Sequence, residues 1–313
     1  MDSIERPIAP LHPTRDALLA LVVGLAAGII GLAPWLLTGG RLALQNLWAT
    51  DVSPDSMPLA LLPLSQYETT TIVALIATGG ALAGGVFRIW RPVRRRLGLA
   101  LAATGFVLVQ IVAAAQSFAV VNAGLTPGSQ SELYSAGLLL GTAASVIAGV
   151  VALFMLAAQS RAVATLGVGL MAVPFVSWLA YGVANLMGPT GMPEHLLTLW
   201  RWLPAVLVGL ALAWCGVKPA GRAVVWVLNL VLLWLVPALF ISVNYVLGTR
   251  VLLGDLEEML LAFRQIFAAS SGPAGGAALS VVVALAIGLA GTIGLAVYRR
   301  ARNQPELVTD PQE

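Results

Sequence analysis

The sequence predicts an all-α, polytopic membrane protein with eight transmembrane helices and both termini cytoplasmic. Three observations predict it: the composition, eight long apolar runs, and the placement of the basic residues between those runs. Hydrophobic residues make up 59% of the 313-residue chain and charged residues 10%, against about 25% charged in an ordinary soluble domain. Mean hydropathy is +0.91. So few charges cannot cover the surface of a water-soluble fold, so lipid must solvate much of this one.

A helix needs about 20 apolar residues to cross the hydrocarbon layer. The runs are 17–38, 69–90, 97–121, 136–158, 162–187, 202–217, 223–247 and 276–298. The sixth is short, and Leu196 to Trp200 can extend it. The first begins at Ala17 without a small-residue cleavage site, so it reads as a retained helix. With the N-terminus inside, thirteen of the seventeen basic residues fall on the inner side, and only Arg41, Arg201, Arg250 and Arg264 fall outside. Every inner connection is then basic, as the orientation rule requires. The same rule accounts for the pI near 9.4, so nucleic acid is not an expected partner. The lipid bilayer is, together with a membrane-protein partner or a second copy of the chain.

In chain order, a cytoplasmic tail (1–16) precedes a four-helix half (17–161). A second half (162–298) carries an outer amphipathic helix near 251–267, and a cytoplasmic tail (299–313) follows. Pro34 kinks the first helix. The loop after it holds RLALQNLW, read as a short interfacial helix with Trp48 as anchor, and the acids Asp51 and Asp55. Glu68 opens the second helix, where a carboxylate suits the helix dipole or serves as a ligand for a cation. Pro174 and Pro237 kink the fifth and seventh helices. In VLLGDLEEMLLAFRQIFAAS, apolar residues recur at three- and four-residue steps, and the charges lie off that stripe.

A four-plus-four duplication is suggested by ordered matches. PDSMPLALLPL, starting at Pro54, resembles PTGMPEHLLTL, starting at Pro189, at a constant offset of 135. Helix three ends at Asn122 in VVN, and helix seven ends at Asn244 in SVN. Halves of equal orientation would be related by an axis along the membrane normal.

Candidate binding residues gather toward the outer ends of the helices: Glu68, Gln116, Asn122, Tyr134, Tyr181, Asn185, Asn244 and Tyr245. They predict an outer groove above a closed inner half, since polar groups at that depth need protein or water partners. The competing reading is a polar and aromatic belt facing lipid. Asp51 and Asp55 are outer acidic candidates. A charge at mid-bilayer costs about 2.5–3.5 kcal/mol, and none is found there, which argues against proton coupling. Cys215 is the single cysteine, and His12 and His195 are far apart, so no intrachain disulfide, metal site or cofactor is expected. Catalytic residues are not expected either. The glycine pairs and triplets lie inside apolar runs and lack a phosphate-loop ending.

The leading functional expectation is a non-catalytic membrane partner or scaffold of a bacterial cell-envelope complex. A single lysine, Lys218, among many Ala, Gly, Val and Arg points to a GC-rich bacterium and its plasma membrane. The alternatives are a permease or flippase for a lipid-like substrate, and an enzyme acting on a lipid-linked substrate at the outer face. For the last, Asp51 and Asp55 imitate the outer-loop acids of membrane glycosyltransferases, at an unspecific spacing.

Overall fold

A computed structural model describes residues 13–90, 92–188, 193–249, 255–272 and 275–302. Pro189–Met192 of the second repeat segment, residues 251–254 of the amphipathic stretch, and most of both tails lie outside the described residues. Among those described, nine α-helices follow one another: α1 (Pro13–Leu37), α2 (Thr69–Ile89), α3 (Arg95–Gly124), α4 (Ser129–Ala157), α5 (Arg161–Met187), α6 (Glu194–Cys215), α7 (Gly221–Gly248), α8 (Leu256–Ser271) and α9 (Ala277–Arg302). All but α8 are long and apolar enough to cross a membrane, eight in total. The short sixth run is lengthened at its start, as the sequence allowed, so that α6 begins at Glu194.

The chain divides into two compact units. The first is Met1–Gln159 with Ser177–Gly191, and the second is Ser160–Val176 with Met192–Glu313. The division falls inside α5, whose first part belongs to the second unit and whose last part belongs to the first.

In the first unit α2 is the central span. Two thirds of its apolar window is buried (67%), against 33% for both α3 and α4. Glycine makes that position attainable. A methyl group on Gly80 would stand 2.0 Å from the Gly149 carbonyl oxygen, so α2 and α4 touch backbone to backbone. Gly24 of α1 meets the Ala102 carbonyl of α3 at the same 2.0 Å. Small residues let membrane helices approach where no hydrophobic effect drives them together. The outward faces remain apolar, with Leu140 73% and Ile111 56% exposed, as lipid contact requires.

The end of the first unit with short connections is closed by arginine. Arg88 and Arg95 donate from α2 and α3 to the carbonyls of Ala158 and Ala157, which end α4. These are the orphan acceptors of a helix C-terminus, where cations are also favoured by the dipole. The second unit repeats the device. Arg222 Nη1 donates to Cys215 O at 2.7 Å at the end of α6, and Arg161 lies 5.5 Å from the Trp214 ring centre. In this unit α6 packs chiefly on α9, with Gly209 against Ala284 and Ile287.

One local expectation changes. RLALQNLW is not an interfacial helix: residues 41–48 are extended or turned, with antiparallel bridges Arg41–Leu59 and Trp48–Leu125. Its neighbours offer backbone partners and buried space, which outweigh its helical pattern. The amphipathic stretch does form a helix, α8, which packs along α7. Trp234 Nε1, midway along α7, donates to Ser271 O at the end of α8 at 2.8 Å.

Candidate functional site

The polar candidates of the first unit sit at its long-connection end, and two of them, Gln116 and Tyr134, hold one segment, residues 38–65. That segment is irregular yet buried. Leu42, Met57, Ala60, Leu62 and Leu64 belong to the same apolar core as Ile72 and Leu75 of α2, Phe106 and Val121 of α3, and Leu138 of α4. MPLALLPL is too apolar to remain in water, and Pro58 and Pro63 keep it from becoming a helix. Its backbone therefore needs partners from elsewhere.

The helices supply them. Gln116 Oε1 accepts from Leu61 N at 2.9 Å, and its Nε2 donates to Leu59 O at 2.9 Å. One side-chain amide thus pairs with this backbone as a neighbouring strand would. Ser117 Oγ accepts from Leu62 N at 2.8 Å, and Trp35 Nε1 donates to Ala60 O at 2.8 Å. Tyr134 donates its hydroxyl to Gln45 Oε1 and accepts from Gln66 N at 3.4 Å, while Gln45 Nε2 donates to Leu64 O at 2.9 Å. The backbone closes on itself through Leu42 N to Pro58 O at 2.9 Å and Ala60 N to Gly40 O at 2.8 Å. Ala49 N to Gly124 O at 2.9 Å and Thr126 N to Leu47 O at 2.8 Å tie it to the end of α3. Asp51 and Asp55 lie on the exposed part of this cap.

A second group stands beside the cap. Glu68 is half-buried at the N-terminal boundary of α2, and its carboxylate makes no bond to the helix's free N–H groups. Its hydrogen-bond partner is the Thr71 side chain. Tyr181, near the end of α5, is half-buried within electrostatic reach of that carboxylate. Asn185, one turn further, is exposed and donates Nδ2 to Tyr181 O at 2.8 Å. The α5 turn is seated on the proline-interrupted part of α1: Trp178 Nε1 donates to Gly31 O at 2.8 Å, and Gly182 faces Pro34.

Asn122 is exposed at the end of α3 and accepts from Ser135 Oγ at 2.8 Å. It borders an open groove of about 520 Å³ that Thr126, Ser131 and Glu132 also line. In the second unit, Asn244 and Tyr245 are both exposed near the end of α7. Tyr181 is thus within electrostatic reach of Glu68, Gln116 and Tyr134 are committed to the cap, and Asn122 stands apart. Sequence reasoning missed Trp35, Gln45 and Ser117. The signal that could have found them was the apolar, proline-broken loop, which demands donors and acceptors at its own depth. Among the described residues, no group of three or more His, Cys, Asp or Glu could hold a metal ion.

No family model, curated protein or solved structure matches this chain. Its fold defines the class: an all-helical chain with eight helices able to span a membrane.

Proposed function

We propose that this chain is a non-catalytic membrane partner or scaffold of a bacterial cell-envelope complex, set in the plasma membrane. One observation carries the reading. Gln116, Ser117, Trp35 and Tyr134, at the long-connection end of the first unit, fix segment 38–65, which displays Asp51 and Asp55 on a firmly held surface. A fixed, exposed, acidic surface suits recognition of another protein. A photo-crosslinking residue at position 51 or 55 in native membranes should capture a small set of discrete protein adducts. Only diffuse lipid adducts at both positions would remove the scaffold reading. Prolines inside α1, α5, α6 and α7 favour the permease or flippase alternative, because kinks can open a path.

The orientation belongs to the same proposal: both termini cytoplasmic, long connections outside. In a Cys215→Ser background, Ser129→Cys and Leu256→Cys should label with an impermeant thiol reagent in intact cells. Arg96→Cys should label only after lysis, and labelling there in intact cells reverses the orientation. The four-plus-four duplication is proposed with it. It is supported by corresponding helix pairs, α2 with α4 and α6 with α9, that pack through glycine. An experimental structure in which the halves superpose only by inversion, or by pairing other helices, removes it.

A further inference from the structure

The groove of about 520 Å³ opens where α3 ends and α4 begins, and its volume is within the range of small-molecule sites. Its polar lining is only partly satisfied by the protein. Asn122 Oδ1 accepts from Ser135 Oγ at 2.8 Å, which leaves the Nδ2 protons free. Ser131 lines the groove and is 8% exposed, yet its hydroxyl makes no hydrogen bond among the described residues. The other buried hydroxyls of α4 behave differently. Thr142 and Ser145 each donate to the carbonyl four residues back, at 2.8 and 2.7 Å. Ser131 stands in the first turn, and the carbonyl four residues before it, that of Pro127, precedes the helix. The first N–H groups of α4 are also unclaimed by any side chain, because the residue at the N-cap is Gly128. A buried hydroxyl without a partner is costly, and a ligand in the groove would supply one.

We propose that this groove binds a lipid with a neutral, hydroxyl-rich headgroup, in its simplest form a glycosyl diacylglycerol. Charge decides the class of headgroup. Glu132 is exposed in the lining, and no lysine, arginine or histidine lines the groove beside it among the described residues. An anionic headgroup would meet that carboxylate with no cation to offset it. A cationic headgroup would meet the N–H groups of Asn122 and the positive end of the α4 dipole. A neutral headgroup avoids both repulsions. Hydroxyls also match the free polar atoms, because each hydroxyl donates and accepts. Asn122 Nδ2 and the first N–H groups of α4 need acceptors, Glu132 needs donors, and Ser131 takes either. The apolar lining supplies the lipid half of the argument. Leu125, Ala136 and Leu139 face the same groove. Leu139 is 56% exposed and belongs to the apolar span Ser129–Ala157, so acyl chains reach the groove from the bilayer. The polar part lies where that span begins, the level at which headgroups meet a membrane helix. The inference stands whether or not the chain is a scaffold, since that reading rests on Asp51 and Asp55.

The test uses the full chain in a polyoxyethylene detergent, which carries no sugar, with lipid binding read by native mass spectrometry and the unfolding midpoint read in parallel. Monoglucosyl diacylglycerol should bind at least several-fold more tightly than diacylglycerol, phosphatidylglycerol or phosphatidylethanolamine with the same acyl chains. Asn122→Leu should weaken the glycolipid by about tenfold, through the lost amide donors. Ser131→Ala should give a smaller loss, about threefold. Ala136→Trp fills the groove from an exposed position, so it should abolish the preference for the glycolipid and leave the midpoint near that of the parent. Glu132→Gln should keep the preference and strengthen phosphatidylglycerol, because it removes the repelling charge. Equal binding of glycolipid and diacylglycerol overturns the proposal, as does undiminished binding by folded Asn122→Leu or by Ala136→Trp. Tighter binding of phosphatidylglycerol overturns it in favour of an anionic ligand, and tighter binding of phosphatidylethanolamine in favour of an ammonium. Displacement of the glycolipid by an equal concentration of methyl glucoside overturns the lipid assignment in favour of a soluble glycoside. Should Asn122→Leu fail to fold, Ala136→Trp decides, and an unchanged preference for the glycolipid in that variant overturns the proposal.

Discussion

Segment 38–65 in the first unit and α8 in the second both belong to long connections, and they solve the same problem in opposite ways. The first is irregular, proline-broken and buried, with Leu62 and Leu64 fully enclosed. The second is a regular helix with no buried residue. A helix satisfies its own backbone and can lie against a membrane surface or another helix unaided. Irregular backbone at depth must borrow its hydrogen bonds, and the lenders here are Gln116, Ser117 and Trp35. The difference shows why polar residues near helix ends divide into two sorts. Gln116 is there for the chain itself, whereas Glu68 serves no backbone group.

The largest effect should come from breaking the borrowed bonds. Gln116→Leu with Ser117→Ala leaves Leu62 N, which is buried, and Leu61 N, which is part-buried, without these partners, at about 1–3 kcal/mol for a buried group. The expected loss is about 2–3 kcal/mol, seen as a lower unfolding midpoint and new protease cleavage within 38–65. A midpoint within error of the parent would show that the cap is held by apolar packing alone. Gln110 supplies the contrast on the same helix. It is fully buried in α3, and neither amide atom has a hydrogen-bond partner. Gln110→Leu should therefore stabilise the first unit, by about 1–2 kcal/mol. A drop in the midpoint would mean that the amide meets a group it needs.

The eight spans were legible because each is a continuous apolar run of membrane length, a local property that needs no knowledge of neighbours. The α8 helix was legible for a similar reason, from its three- and four-residue periodicity. Segment 38–65 was not. RLALQNLW has the spacing of an interfacial helix, but its backbone pairs with Leu59 and Leu125, which are remote in sequence. Of the candidate site, the polar identities could be read from sequence but not their assignments. Nothing local says that Gln116 faces Leu59 and Leu61, or that Trp178 reaches Gly31 across more than a hundred residues. Such contacts depend on how helices cross, here at Gly80 and Gly24, and glycine-rich runs have the same appearance wherever they pack.

The remaining predictions concern α8 and should be smaller, because it holds itself together. Asp255 caps it by accepting from Glu257 N and Glu258 N, both at 3.0 Å. Asp255→Ala should cost about 1 kcal/mol locally. Amide exchange should quicken in the first turn of α8, with the cap segment 38–65 unaffected. Quickening that spreads to 38–65 would break the contrast between the two connections.

Trp234→Phe should have the smallest effect and is the sharpest probe of how α8 is held. An aromatic ring remains at this position in the variant, so the change removes chiefly one hydrogen bond, Nε1 to Ser271 O at 2.8 Å. Such a bond contributes about 0.5–1.5 kcal/mol. Its acceptor is a C-terminal carbonyl of α8, which no intrahelical N–H can reach. Met259, Phe263, Ile266 and Phe267 are half-buried and keep their apolar contacts in the variant. The helix should therefore stay on α7 while its last turn frays. Amide exchange near Ser271 should quicken several-fold, with the first turn unchanged. Uniform quickening across all of α8 would instead make Trp234 the tether on which its attachment depends.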